Sequence, residues 1–210
     1  MRKIIFFATV ILFLSLASAV EDGFSVGSGS TFVLSETISN HQKAKNIDEL
    51  NFMILQNQEI LNSEIINLNE NQKLIFENQN KVRNAAYSLL SMESLLPSVG
   101  IIVSNIAKEL NNSVQTTINA EEKIKERNSF AYFLVGGDLN SAKIIESEII
   151  FNQQRISDLK ELSSRCGCAE QIKNIFDEQI QIIENEESRL REIANYEKNN
   201  SGLFGWIFRF

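Results

Sequence analysis

Ile47, Ile54, Leu61, Leu68, Ile75, Val82, Leu89 and Leu96 are apolar at eight consecutive positions spaced by seven residues. A seven-residue period places such side chains on one left-handed stripe, the pattern of a coiled-coil seam. Residues 35–96 contain no Gly and no Pro, and Ser35 and Pro97 read as start and stop signals, so one long helix is expected there. The companion positions Leu50, Asn57, Glu64, Asn71, Asn78, Ala85 and Met92 are mixed, with four polar residues in succession. Burying a large aliphatic side chain contributes roughly 1.5–3 kcal/mol, whereas a buried unpaired amide costs about 1–3 kcal/mol. A seam dry on both rows would therefore be nearly neutral. Either Asn57, Asn71 and Asn78 pair with a partner helix, or the buried stripe widens to take in Ile60, Ile65 and Leu74. The in-step Asn-Gln pairs at 57, 71 and 78 read as a solvated or register-setting face.

Three further helices follow. The second is expected over 99–130 or 99–135, with Val103, Ile106, Leu110, Val114 and Ile124 on one face and Gly136-Gly137 as its stop. Asp138 suits the N-cap of a third over 139–162, buried through Ile145, Ile149, Ile156 and Leu159. The fourth, over 169–198, uses Ile172, Phe176, Ile183, Leu190 and Ile193. No alternating pattern indicates strands, and one proline in 210 residues fits long helices. The expected class is all-α: a long coiled-coil helix followed by an antiparallel three-helix bundle, 97–198, packed on its end. At 1.5 Å per residue the first helix would be ~93 Å long and the others ~35–55 Å. Half of its stripe would then lack cover from its own chain. A second copy is the expected partner, giving a homo-oligomeric stalk.

The first nineteen residues combine Arg2 and Lys3, the uncharged run 4–16 and Ala17-Ser18-Ala19. This is the layout of a secretory signal peptide, with an uncleaved anchor as the rival, and it predicts an extracytoplasmic, secreted or cell-surface protein. Residues 20–34 are Gly/Ser-rich and expected to form a flexible tether. The net charge is −7, and removal of 1–19 takes away two basic residues and no acid, moving it to −9. Without clustered Lys and Arg, nucleic acid is not an expected partner.

Two apolar clusters stand outside the helical stripes. Residues 130–135 include Phe130, Tyr132 and Phe133, and the closing residues 203–210 include Leu203, Phe204, Trp206, Ile207, Phe208 and Phe210. Both are too short to span a bilayer and suit its interface. The first reads primarily as a cap on the bundle core, the second as a membrane or partner contact. Cys166-Gly167-Cys168 lies in the turn between the third and fourth helices, and a disulfide across that turn is the leading reading, ahead of a bridge to a second chain or a redox site. Asn111 and Asn199 each begin an Asn-x-Ser acceptor pattern for glycosylation. With one His, no phosphate-cradling glycine loop and no nucleophile elbow, no catalytic, metal or cofactor residue is assigned. The acidic pairs Glu121-Glu122 and Glu186-Glu187 read as solvated helix faces.

Residues 128–138, the Cys-Gly-Cys turn and the Gly202-Leu-Phe-Gly-Trp206 ending together resemble exported helical proteins of archaea, over roughly residues 100–210. The resemblance implies placement outside the cytoplasm in association with a membrane, and no activity. The leading expectation is a non-enzymatic, exported scaffold, spacer or adhesion component. A membrane-active protein like the helical pore-forming toxins and a four-helix sensory module like the outer domain of a chemoreceptor are the alternatives.

Overall fold

The computed structural model describes residues 42–204. The signal segment 1–19, the tether 20–34 and the tail residues Trp206, Ile207, Phe208 and Phe210 lie outside the described residues. Regular structure among the described residues is entirely helical, as the sequence predicts. The elements are α1 (Ile47–Glu64), α2 (Glu70–Ser91), a 3-10 turn (Met92–Leu95), α3 (Gly100–Glu126), α4 (Ser129–Val135), α5 (Leu139–Ser164) and α6 (Glu170–Asn199).

The uninterrupted helix expected over 35–96 is not formed, because the chain turns between Glu64 and Glu70. The reason is local. The Asn69 side chain accepts the Gln72 N–H at 3.0 Å, while its amide donates to Gln72 Oε1 at 2.8 Å. This cap, worth about 1 kcal/mol, favours starting a new helix at Glu70. α1 then runs antiparallel to α2, tied by Asn57 Nδ2 donating to Asn84 Oδ1 at 2.8 Å and Asn80 Nδ2 donating to the Leu61 carbonyl at 2.9 Å. Asn57 therefore pairs inside its own chain. Asn78 bonds back to the Leu74 carbonyl of its own helix and Asn71 is exposed.

The heptad stripe is covered from within. Leu61, Ile75, Val82, Leu89 and Leu96 are buried and Ile47, Ile54 and Leu68 are half-buried. Of the residues expected to widen it, Ile65 is buried while Ile60 and Leu74 remain exposed. A period near 3.5 serves any helix pair crossing at about +20°, so the spacing holds in a folded-back bundle as in an extended rod. With no long stripe left bare, rod length no longer calls for a second copy.

α2 packs on α3, α3 on α5, α5 on α6, and α6 back on α2, closing a four-helix ring with α1 strapped along α2. Phe176, Ile183 and Leu190 of α6, Leu89 of α2, Leu110 and Ile118 of α3, and Ile145 and Leu159 of α5 are all fully buried, and Leu190 and Ile145 share one core cluster. The second predicted helix divides: α3 stops at Glu126, and the Asn128 side chain accepts the Ala131 N–H at 2.7 Å to begin α4. Asp138 caps α5 as expected, accepting the Asn140 and Ser141 N–H groups at 3.1 Å each. At ~1.5 Å per residue α6 is ~45 Å long. One end of the ring carries the 3-10 turn and the Cys166–Cys168 turn, and the other carries α4 and the last described residues.

The core is also polar, which the sequence reading missed. Glu121, Glu186 and Glu187, expected on solvated faces, are 1%, 6% and 6% exposed. Arg189 spans Glu121 through two 2.7 Å bonds and holds Glu186 at 2.8 Å, while Gln79 donates to Glu121 at 2.8 Å. Burial works against the charge on Arg189, but its bonds to Glu186 and Glu121 hold the guanidinium protonated above its ordinary range. Burial pushes Glu186 up despite that partner. Glu121 and Glu186 lie inside because the ring places Arg189 within bonding reach of both. Adjacent residues on a helix do not reveal which of them faces inward.

Glu187 adjoins Glu186 in α6 but turns to a different partner. Its Oε1 accepts from Asn152 at 2.7 Å, and Oε2 is buried without a hydrogen-bond partner. Burial raises its carboxyl to about 7, with nearby Glu186 and Glu148 adding to the shift and Asn152 opposing it. A folded-state value above the unfolded 4.5 means that the native form holds the extra proton. Its contribution to stability is complete below pH ~4.5 and is lost as pH rises to ~7, at most about 3 kcal/mol at ~1.4 kcal/mol per unit. Glu187→Gln keeps the acceptor for Asn152 and removes the titration. The variant is expected to match the parent near pH 4.5 and to melt several degrees higher at pH 8. An unchanged difference across that range in pH-resolved thermal melts would refute the assignment.

Candidate functional site

The end of the ring bearing α4 is where the first apolar cluster meets Leu203 and Phe204, the described residues of the second. α4 follows Asn128 as a seven-residue helix and stops at Gly136, whose N–H reaches the Tyr132 carbonyl. The chain leaving α6 then returns across it. Gly137 N–H donates to the Asn200 carbonyl at 2.9 Å, Leu203 N–H to Phe133 O at 2.8 Å, and Phe204 N–H to Leu134 O at 2.7 Å. Two glycines make this approach possible. Gly136 has φ +91°, and a Cβ there would lie 2.2 Å from the Asn200 carbonyl oxygen; Gly202 has φ +59°, and its Cβ would lie 2.3 Å from Gly136 N. No other residue adopts these angles at so little cost, and none fits the space.

Helical spacing sorts the cluster. Phe130 and Phe133, three apart, share the outward face and are 71% and 61% exposed. Beside them the returning chain presents Leu203 and Phe204, 55% and 44% exposed, with Val135 at the edge. Tyr132 does otherwise. It is half-buried, stacks on Tyr196 with ring centroids 6.5 Å apart, and donates its hydroxyl to Glu197 Oε1 at 3.0 Å. Burial and the Glu197 carboxylate together raise its hydroxyl pKa. Glu197 Oε2 accepts the Asp138 N–H at 2.8 Å, so this carboxylate ties α4, α5 and α6 together. The cluster expected to cap the core therefore turns Tyr132 inward, with Ala131 and Leu134 half-buried, and leaves its phenylalanines bare. Glu197 was not singled out from the sequence, and Asp138 only as a helix cap, since only the folded ring brings them together beside Tyr132.

At the opposite end Cys166 and Cys168 are joined in a disulfide across Gly167, the leading reading of that turn. The loop is so short that chain entropy gives only about 1–2 kcal/mol. Replacing both cysteines with serine is expected to lower the melting temperature by a few degrees and leave the helical spectrum intact; loss of the fold would show that the turn does more than staple. Asn111, a glycosylation candidate, is 7% exposed inside α3 and is closed to modification in the folded chain, whereas Asn199 at the end of α6 is exposed.

A concavity of about 870 Å³ runs between α1, α2 and α6. Amides of Asn51, Gln58, Asn62 and Gln179 line it together with Ile54 and Ile175. Among the described residues no group of three or more His, Cys, Asp or Glu side chains is placed to hold a metal ion, and no helix is long and apolar enough to cross a membrane. No protein-family model matches the chain, and no curated protein or solved structure matches it either.

Proposed function

We propose that this is an exported, non-enzymatic helical bundle that docks by its α4 end on a membrane surface and serves there as a spacer, scaffold or adhesion component. The observation that carries this reading is the convergence of Phe130, Phe133, Leu203 and Phe204 on one face at one end. Monomeric proteins seldom leave a contiguous aromatic patch in water, and Phe and Trp are favoured at the lipid interface. The sequence continues from this face into Trp206, Ile207, Phe208 and Phe210. The signal-like segment 1–19 and the paired cysteines accord with an oxidising compartment outside the cytoplasm.

Flotation of the full chain with lipid vesicles tests the reading. The protein is expected to float, and Phe130→Ser/Phe133→Ser to leave most of it at the bottom of the gradient while circular dichroism stays unchanged. Equal flotation of parent and variant would overturn the docking face. Dye release from the same vesicles separates docking from pore formation, since a docked spacer releases none.

Two other readings each have an observation behind them. The amide-lined groove between α1, α2 and α6 favours a sensory, ligand-binding module, for which a thermal-shift screen of small metabolites is the discriminating measurement. Phe52, Leu55 and Ile60 are exposed along α1, and Ile66 in the turn that follows it. A second copy packed there would restore the homo-oligomer on different grounds, and sedimentation at micromolar concentration would report it.

A further inference from the structure

Under α4 lies a cleft of about 420 Å³ whose walls include Lys125, Arg127, Ser129, Tyr132, Phe133 and Glu197. That volume is within the ~300–1,000 Å³ common for small-ligand clefts. We infer that this cleft takes the phosphate of an anionic phospholipid headgroup, an inference that rests on the membrane-docking reading and specifies its lipid.

Charge is the first argument. The whole chain carries −7, so an anionic surface repels it except where cations are concentrated. Lys125 and Arg127 line the cleft, with Lys123 on the same last turns of α3 and Lys143 near the start of α5. None of these four makes an ion pair with a described residue, although Arg83, Arg155, Lys160, Arg189 and Lys198 all do. Glu126 is the exposed acid among them, outnumbered by its neighbours. The guanidinium fork of Arg127 suits two phosphate oxygens, and Lys125 supplies a mobile point charge. Ser129 adds a hydroxyl donor.

Position is the second. Phe133 is both a wall of the cleft and part of the bare apolar face. A headgroup held by Lys125 and Arg127 therefore brings its acyl chains alongside Phe130, Leu203 and Phe204. The one carboxylate in the wall, Glu197, already accepts from Tyr132 and from the Asp138 N–H. Its role is to fix the wall, and the two cations outweigh its single charge.

Vesicle flotation of the full chain decides the matter, comparing phosphatidylcholine alone with an equal mixture of phosphatidylcholine and phosphatidylglycerol. At ~1 kcal/mol per basic residue near the surface, two cations predict about thirtyfold tighter binding to the mixture. Added salt should erase that preference. Lys125→Gln/Arg127→Gln is expected to bind both vesicles as the parent binds phosphatidylcholine, with its circular dichroism unchanged. Equal parental affinity for the two compositions, or a preference that survives the double substitution, overturns the inference and leaves the docking face standing. Absence of binding to either vesicle overturns both. Release of the parent from mixed vesicles by millimolar inorganic phosphate, at constant ionic strength, would assign the cleft to the free ion and likewise overturn the inference.

Discussion

Arg189→Met is expected to cost about 3–5 kcal/mol at pH 7–8, enough to unfold a substantial fraction of a domain of ordinary stability. The substitution leaves Glu121 and Glu186, 1% and 6% exposed, facing each other across the core without a cation. Methionine fills the space of the aliphatic stem, so the loss comes from unpaired charge and not from a cavity. The pH dependence identifies the cause. Stranded buried carboxylates take up protons well above their unfolded pKa, so the variant's deficit is full at pH 8 and shrinks as pH falls towards 5. Adding Glu121→Gln and Glu186→Gln to the same chain should recover much of the stability at pH 8, since neutral amides need no counter-charge. Chemical denaturation at the two pH values checks both statements. A loss below about 1 kcal/mol, typical of an exposed ion pair, would show that the triad is solvated.

Gly136→Ala is expected to separate the two halves of the apolar end. The residue sits at φ +91°, and the added Cβ would be 2.2 Å from the Asn200 oxygen and 2.5 Å from the Ser201 carbonyl carbon, both backbone atoms that cannot rotate aside. The backbone angles alone, φ +91° and ψ −157°, cost a residue with a Cβ on the order of 1–3 kcal/mol, and relief of the overlap requires the returning chain to lift away. The bonds from Leu203 and Phe204 to the α4 carbonyls go with it. The four-helix ring itself is built without these contacts, so the main thermal transition should move little. Amide exchange in residues 199–204 should accelerate, and vesicle affinity should fall severalfold, because the four exposed apolar residues no longer share a plane. Unchanged exchange and affinity would mean that the close approach is not what holds the face together.

Several features were open to reading in the sequence because they depend on neighbours along the chain. Asp138 as an N-cap, Gly136-Gly137 as a stop and the Cys166-Gly167-Cys168 turn are decided within a few residues. The inward stripes of α3, α5 and α6 follow from helical spacing and the cost of leaving Leu or Ile wet: Leu110, Ile145, Phe176 and Ile183 are all 1% exposed or less. Asn69 was the local signal passed over. In a chain rich in Asn and Gln, its spacing to Gln72 is the mark of a helix start, and it outweighs the absence of Gly and Pro.

The sequence by itself determined the helical class and the apolar stripes, together with the apolar residues of 130–135 and 203–204 that form the candidate docking face. These follow from residue-level preferences acting over one or two turns. The tertiary structure alone decided that the heptad stripe is sheltered by its own chain, that Glu121 and Glu186 share Arg189, and that Phe133 and Leu203 lie side by side. Each of these joins residues far apart in the chain. A period of seven reports that a face is buried without naming what buries it, and an acidic side chain carries no mark of where its cation will come from. Chain reversals at Asn69, Gly136 and Gly167 supply that information by fixing which surfaces meet.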